Sequence, residues 1–272
     1  MTTDVLADFS TREFTALGKQ RTVYELGEGP AVVVIAEMPG ITPAVVEFAR
    51  RVAAIGCTAV LPHLFGEPGR SGATEEEEPA GGRRLRPLVL PGVRVAGSTS
   101  WRQARRRPSS TGCLNWRVTS TSGAAGTDVG AVGMCFTGGF ALAMATDDRL
   151  LAPVVSQPSL PFGVTKRHRA TIDISASDLA AVKQRCDAGL EVIGLRFTGD
   201  RLVPGERFEF LRRELGDAFV AIELPDRSAN PDALMSPHSV LTEHLIDADG
   251  EPTREALDRV LELFRSRLLG TG

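Results

Sequence analysis

Cysteine is scarce in this chain. Its 272 residues include four cysteines, none of which forms a Cys-x-x-Cys pair or a Cys/His cluster with the spacing of a zinc site: Cys57, Cys113, Cys135 and Cys186. The sequence therefore offers neither a disulfide framework nor a structural metal site. A single domain of this length needs neither, because it buries roughly three quarters of its unfolded surface.

Long apolar runs and an excess of charge are also absent. No apolar run reaches the ~18 residues of a membrane-spanning helix. Residues 1–10 carry acidic side chains and lack the long apolar core of a signal peptide. The net charge of −3 does not favour binding to nucleic acid or to an anionic membrane. We therefore expect a cytoplasmic protein, monomer or homodimer, whose partner is a small molecule.

Apolar strands alternate with helical patterns along most of the chain. Residues 31–36 are typical of a central parallel strand, residues 43–55 have helical spacing with Thr42 as N-cap, and 58–61 form the next strand of a βαβ unit. The pattern predicts further strands at 22–26 (an edge strand), 129–132, 151–156, 191–197 and 218–224, and helices at 140–145, 177–186, 204–215 and 253–268. The predicted fold class is α/β, one domain over residues 1–272 with a doubly wound, mostly parallel sheet.

The segment 67–127 interrupts this alternation. After the glutamates at 75–78 it has no acidic residue before Asp128, it is rich in arginine, and it contains both tryptophans. Three explanations are open: a lid insertion, a disordered linker, or a coding frame that slipped and was restored before residue 129. We favour the slipped frame because it explains the abrupt start and the abrupt recovery together, and resequencing the gene tests it.

The stretch 133–139, Gly-Met-Cys-Phe-Thr-Gly-Gly, is the most informative in the sequence. It lies between a predicted strand and a predicted helix, and small residues flank Cys135. This is the pattern of a nucleophile elbow, a turn so tight that only small side chains fit beside it. The nucleophile then projects above the sheet at the helix N-terminus, where the helix dipole favours a thiolate.

A cysteine nucleophile needs a base, and the base needs an acid that orients it. Asp200 follows a late predicted strand and His238 lies in the loop after the last one, in the chain order nucleophile, acid, base. The alternatives are a turn aspartate and a capping histidine. His244 is a weaker candidate because residues 240–246 have helical periodicity, and His168 lies in a basic surface run.

The end of the first central strand provides further candidates. Glu37 closes this strand at the edge where open α/β sheets bind ligands, and it is either part of the site or a turn residue. The backbone N–H groups of Met38 and Phe136 are the candidate oxyanion-hole donors.

These motifs resemble the dienelactone hydrolase family, a cysteine branch of the α/β-hydrolases. The matching stretches are residues 36–41, the elbow, Gly199-Asp200 with Val203-Pro204, and His238-Ser239. The resemblance implies an α/β-hydrolase fold and hydrolysis of a small ester or lactone through an acyl-enzyme, with no metal or cofactor. It also implies Cys135 as nucleophile, His238 as base and Asp200 as its orienting acid. Glu37 would hold the cysteine in its resting state and help to activate it.

The chain departs from the family pattern at three places. Thr137 stands where the family has glycine two residues after the cysteine. Residues 239–242 lack the arginine with which dienelactone hydrolases hold a substrate carboxylate, so dienelactone itself is a doubtful substrate. His63 stands where family members often have aspartate, and it either lines the pocket or is a loop histidine.

The sequence therefore predicts a carboxylic ester hydrolase of dienelactone hydrolase type. Two alternatives are a non-catalytic binding protein that keeps the fold and pocket, and a thiol-based sensor that uses Cys135. Cys57 and Cys186 are predicted to be small core residues. Neither the natural substrate nor the oligomeric state follows from the residues.

Overall fold

A computed structural model describes residues 5–16, 19–70 and 128–270. The atypical segment 67–127 lies outside these ranges from residue 71 onward, together with Cys113, so the three explanations for it remain predictions.

The described residues form one sheet of eight strands in the order β1-β2-β4-β3-β5-β6-β7-β8. The strands are β1 (Ser10–Ala16), β2 (Lys19–Leu26), β3 (Ala31–Ile35), β4 (Thr58–Pro62), β5 (Val129–Met134), β6 (Leu150–Ser156), β7 (Val192–Phe197) and β8 (Phe219–Leu224). Strands β3 to β8 are parallel, while β2 is antiparallel to both of its neighbours. The predicted α/β class with a mostly parallel sheet is confirmed.

Two details of the prediction were wrong. The predicted edge strand is β2, but β1 pairs with it along its whole length and forms the edge instead. The predicted helix at 240–246 is a series of turns, because the N–H groups of Thr242 and His244 both bond to the carbonyl of Ser239.

Helices cover both faces of the sheet. They are α1 (Pro43–Ala54), α2 (Gly138–Met144), α3 (Lys166–Arg169), α4 (Ala176–Asp187), α5 (Gly205–Leu215) and α6 (Pro252–Phe264). Helices α1 and α6 share one apolar core with alternate residues of β3 and β5, and α2, α4 and α5 share a second core with the other residues of these strands. Because both faces of the central strands are buried, their sequences are continuously apolar.

The parallel strands bring six carboxyl ends to one edge of the sheet. The loops that leave this edge contain Glu37, Cys135, Ser159, Asp200 and His238. In open α/β sheets, ligands bind at this edge.

Phe264 tests the packing beneath the nucleophile strand. Its ring is 0% exposed and fills the space beside Gly130 of β5, where an added Cβ would lie 3.0 Å from the ring. We expect Phe264→Ala to lower the free energy of unfolding by about 3–5 kcal/mol, measured by urea denaturation. The matched control is Phe162→Ala: this ring is 58% exposed, so its removal should change stability by no more than about 0.5 kcal/mol. Equal losses in the two variants would contradict the packing described here.

Candidate active site

Cys135 occupies a sharp turn between β5 and α2. Its φ is +57°, in the left-handed region that residues other than glycine rarely adopt, and Cys135–Thr137 form a single 3₁₀ turn before α2 begins. The chain reverses so closely here that a Cβ on Gly133 would lie 2.3 Å from the carbonyl oxygen of Thr137. The local geometry is that of a nucleophile elbow, as the sequence predicts.

Thr137 stabilises the elbow from below. Its buried hydroxyl accepts a hydrogen bond from the N–H of Met134 at 2.8 Å and lies 2.9 Å from the carbonyl oxygen of Ile35 and 2.7 Å from that of Met134. The side chain therefore connects the end of β3 to the end of β5. The threonine that departs from the family pattern thus contributes contacts that glycine lacks.

His238 and Asp200 form a buried pair at the same edge. Asp200 Oδ2 lies 2.6 Å from His238 Nδ1, and Asp200 Oδ1 accepts a hydrogen bond from the N–H of Leu202 at 2.9 Å. Both side chains are less than a tenth exposed. The carboxylate therefore fixes the orientation of the imidazole and keeps the proton on Nδ1.

The environment of His238 favours its protonated form. Burial lowers the pKa of the ring, but the hydrogen bond with Asp200 and the interaction with the nearby Cys135 sulfur outweigh it and raise the pKa to about 10. The Nε2 atom is buried and has no hydrogen-bond partner among the described residues. Because Nδ1 is engaged by Asp200, Nε2 is the ring atom available to exchange a proton with the thiol.

Ser159 contacts the thiol, and sequence reasoning missed it. Its hydroxyl lies 3.2 Å from Cys135 Sγ, and its N–H donates to the carbonyl of Cys135 at 3.0 Å. The side chain is 1% exposed. One sequence signal was present: residues 157–161 directly follow β6, which is the neighbour of the nucleophile strand.

Glu37 is 3% exposed and is held by neutral donors. Its Oε2 accepts from Gln157 Nε2 at 3.0 Å and from Ser239 Oγ at 2.6 Å, and its Oε1 accepts from the hydroxyl of Thr242. Its hydrogen bonds therefore go to these three side chains, whereas the Cys135 sulfur bonds to Ser159. The role of Glu37 toward the cysteine stays a prediction. Gln157, Ser239 and Thr242 are further site residues that periodicity did not reveal.

The candidate oxyanion-hole donors follow the carboxyl ends of two neighbouring strands. Phe136 directly follows Cys135, and Met38 lies beyond the end of β3, which pairs with β5. The Phe136 ring packs against Phe65 with 5.0 Å between centroids. Their function as donors stays a prediction.

The other histidines have structural contacts. In His244, Nδ1 accepts from the N–H of Ser239 at 3.1 Å, which leaves Nε2 to donate to the carbonyl of Met235 at 3.1 Å. His63 Nε2 lies 3.0 Å from the carbonyl oxygen of Gly66 within its own loop, and His168 lies in α3. Unlike these three rings, His238 pairs with a carboxylate through Nδ1 and leaves Nε2 on the side of the elbow.

The described part of the chain contains neither a metal-binding cluster nor a membrane-spanning helix. No group of three or more His, Cys, Asp or Glu side chains there is placed to hold a metal ion. No helix within those ranges has the length and hydrophobicity needed to cross a bilayer.

Solved structures with the same fold include several ester hydrolases. A dienelactone hydrolase-like promiscuous phosphotriesterase from metagenomic libraries is 18% identical with a TM-score of 0.61, covering 96% of this chain and 100% of that one. A thermostable esterase from Pseudomonas putida is 13% identical with a TM-score of 0.54, covering 97% and 84%. An esterase from Pyrococcus furiosus is 12% identical with a TM-score of 0.55, covering 97% and 93%. Identities this low establish the fold alone.

No curated protein sequence matches the chain significantly. The model of the dienelactone hydrolase family matches residues 18–179, which contain Glu37 and Cys135. Asp200 and His238 lie beyond the matched range, and it is the fold that brings them to the elbow. Since the match spans more than half of the sequence, this chain belongs to the dienelactone hydrolase family.

Proposed function

We propose that this carboxylic ester hydrolase cleaves a small ester or lactone through a covalent acyl-enzyme on Cys135. The proposal rests on one observation: the side chains of Cys135, His238 and Asp200 lie together at one edge of the sheet. The thiol projects from a strained elbow, and the buried His238 ring beside it is held by Asp200 at 2.6 Å. A free thiol is only a few per cent ionised at neutral pH, so an adjacent base is what makes it an effective nucleophile.

The reaction begins from a thiolate–imidazolium pair, in which the proton of the Cys135 thiol already resides on His238 Nε2. The thiolate attacks the carbonyl carbon, and the N–H groups of Met38 and Phe136 donate to the resulting oxyanion. The C–O bond then breaks, and the imidazolium gives its proton to the leaving alkoxide. Water attacks the thioester as His238 removes its proton, and the second collapse releases the carboxylic acid and the thiol.

Glu37 would assist from the side of Ser239. It is buried, and it accepts hydrogen bonds from Ser239 and Thr242, which lie in the loop that follows His238. We assign it the activating role implied by the family, acting through this environment. The Ser159 hydroxyl, which contacts Sγ directly, is placed to donate to the thiolate.

The described cysteines do not favour a disulfide-based sensor. Burial raises the pKa of Cys57 to about 11 and that of Cys186 to about 11, so both thiols are poorly ionised. Cys57 precedes β4 and Cys186 lies near the end of α4, which places both at the sheet edge opposite the elbow. Neither is positioned to resolve an oxidised Cys135.

Replacing the nucleophile is the direct test. Cys135→Ala should abolish turnover of an activated aryl ester, a loss on the order of 10⁴-fold or more, without altering the circular dichroism spectrum. Cys135→Ser replaces the sulfur nucleophile with a hydroxyl oxygen and should retain slow, measurable turnover. Full activity in the alanine variant would rule out the acyl-enzyme mechanism. In the wild type, rapid iodoacetamide labelling of Cys135 without ester turnover would instead support a sensor or a binding protein.

The pKa of His238 predicts the pH dependence. Because the folded-state pKa is raised to about 10, the imidazolium that protonates the leaving group persists through neutral pH and is lost only as the pH approaches that value. We expect kcat/KM to be maintained between about pH 7 and 9 and then to fall. In Asp200→Asn the raising hydrogen bond is lost, so the fall should begin at lower pH and the maximum should drop on the order of 10⁴-fold. An unchanged alkaline limb in this variant would contradict the assigned pairing.

A further inference from the structure

Arg207, in the first turn of α5, is 0% exposed, and its guanidinium donates only to backbone carbonyls. Nε donates to Thr171 at 2.7 Å, Nη1 to Pro158 at 2.5 Å and Leu202 at 3.3 Å, and Nη2 to Pro161 at 2.5 Å and His168 at 3.1 Å.

No described carboxylate accepts a hydrogen bond from this guanidinium, although the charges of Asp200 and Asp173 act on it electrostatically and raise its pKa. Burial lowers the pKa of Arg207 to about 10, so it remains charged at neutral pH. A buried charge is costly unless fixed dipoles solvate it, and here the carbonyls of two loops do so. Those two loops are therefore held to a common point.

Each loop contacts the catalytic groups close to an acceptor of Arg207: through the adjacent residue in the first loop and through the acceptor residue itself in the second. Pro158 precedes Ser159, whose hydroxyl lies 3.2 Å from Cys135 Sγ. In the second loop, Leu202 accepts from Arg207 through its carbonyl and donates through its N–H to Asp200 Oδ1 at 2.9 Å. The same guanidinium thus adjoins the thiol's partner on one side and the acid's partner on the other.

We propose that Arg207 is a positioning residue that fixes the Ser159 loop and the Asp200 loop relative to each other, so that the thiol and the imidazole keep their alignment. The inference rests on the proposed function, since it concerns the same catalytic groups. A planar guanidinium with five directed N–H groups is needed to reach carbonyls in two loops, whereas a lysine ammonium has three donors on a flexible stem.

Arg185 of α4 provides a matched control. Its guanidinium also donates to a set of carbonyls at 2.6–3.1 Å: those of Ala145, Asp147, Leu150 and Asp148. These acceptors lie between α2 and the start of β6, at the sheet edge opposite Cys135. Burial likewise lowers the pKa of Arg185. Replacing Arg185 removes a comparable set of bonds away from the site.

The experiment compares Arg207→Lys with Arg185→Lys in the full chain. We measure kcat and KM for an activated aryl ester, the pH profile of iodoacetamide alkylation at Cys135 by peptide mass spectrometry, and urea unfolding. Both variants should lose stability. Only Arg207→Lys should lower kcat, by about 10²-fold with little change in KM, because misplacement of reacting groups by about 1 Å has an effect of that size. Only Arg207→Lys should also shift the alkylation profile.

Three outcomes would overturn the proposal. The first is a kcat in folded Arg207→Lys within about twofold of the wild type. The second is an equal loss of kcat in Arg185→Lys, which would indicate a general effect of destabilisation. If Arg207→Lys does not fold, Arg207→Gln is measured in its place, and failure of both while Arg185→Lys folds would assign Arg207 a purely structural role.

Failure of the proposed function is distinguishable from these outcomes. If the wild type does not turn over esters, the hydrolase assignment is wrong. The alkylation profile still reports whether Arg207 aligns the thiol with His238.

Discussion

The site depends on the left-handed backbone of Cys135, because that conformation lifts the thiol above the sheet. Positions 138 and 139 are glycines for a specific reason: the loop after β6 lies directly against the elbow. A Cβ on Gly138 would be 2.7 Å from Pro158 Cβ, and a Cβ on Gly139 would be 2.4 Å from the carbonyl oxygen of Asp173. The small residues therefore allow the turn and also let the Ser159 loop approach the thiol. The strain at the cysteine is balanced by packing on both sides of it.

Two carboxylates serve different purposes within this frame. Asp200 is paired with an imidazole, whereas Glu37 is surrounded by neutral donors. Ser239 connects the two groups, since it follows His238 in sequence and its hydroxyl bonds to Glu37. The N–H of Ser239 is in turn fixed by His244. His238, the proposed base, is thus supported from both sides, by a carboxylate on Nδ1 and by a hydrogen-bonded loop that directly follows it.

The elements that sequence predicts well are those encoded locally. Small residues around Cys135 mark the elbow, and the position of Asp200 after a strand places it at the correct edge. Ser159 and Arg207 carry no such local signal, because Ser159 lies in an irregular loop and Arg207 is one of several arginines in a helix. The contacts of Ser159 and Arg207 form only when the loops after β5, β6 and β7 come together in the folded chain. The prediction of a helix at 240–246 was wrong for a related reason. Thr242 donates a hydrogen bond to Glu37, and this tertiary contact favours the observed turns over the helix that the local periodicity indicates.

Arg207 and Glu37 are both buried, and the hydrogen bonds of each are made with neutral dipoles, although the charges of Asp200 and Asp173 also act on Arg207. Isolated buried charges generally destabilise a fold, so stability alone does not account for them. Their dipoles come from the loops that carry the catalytic groups: carbonyls around Arg207, and amide and hydroxyl donors around Glu37. Each charge therefore orders several loop segments at once, as a single ion pair between them would not. The placement of these two charges is thus better explained by the geometry that they impose on the loops than by the free energy of unfolding.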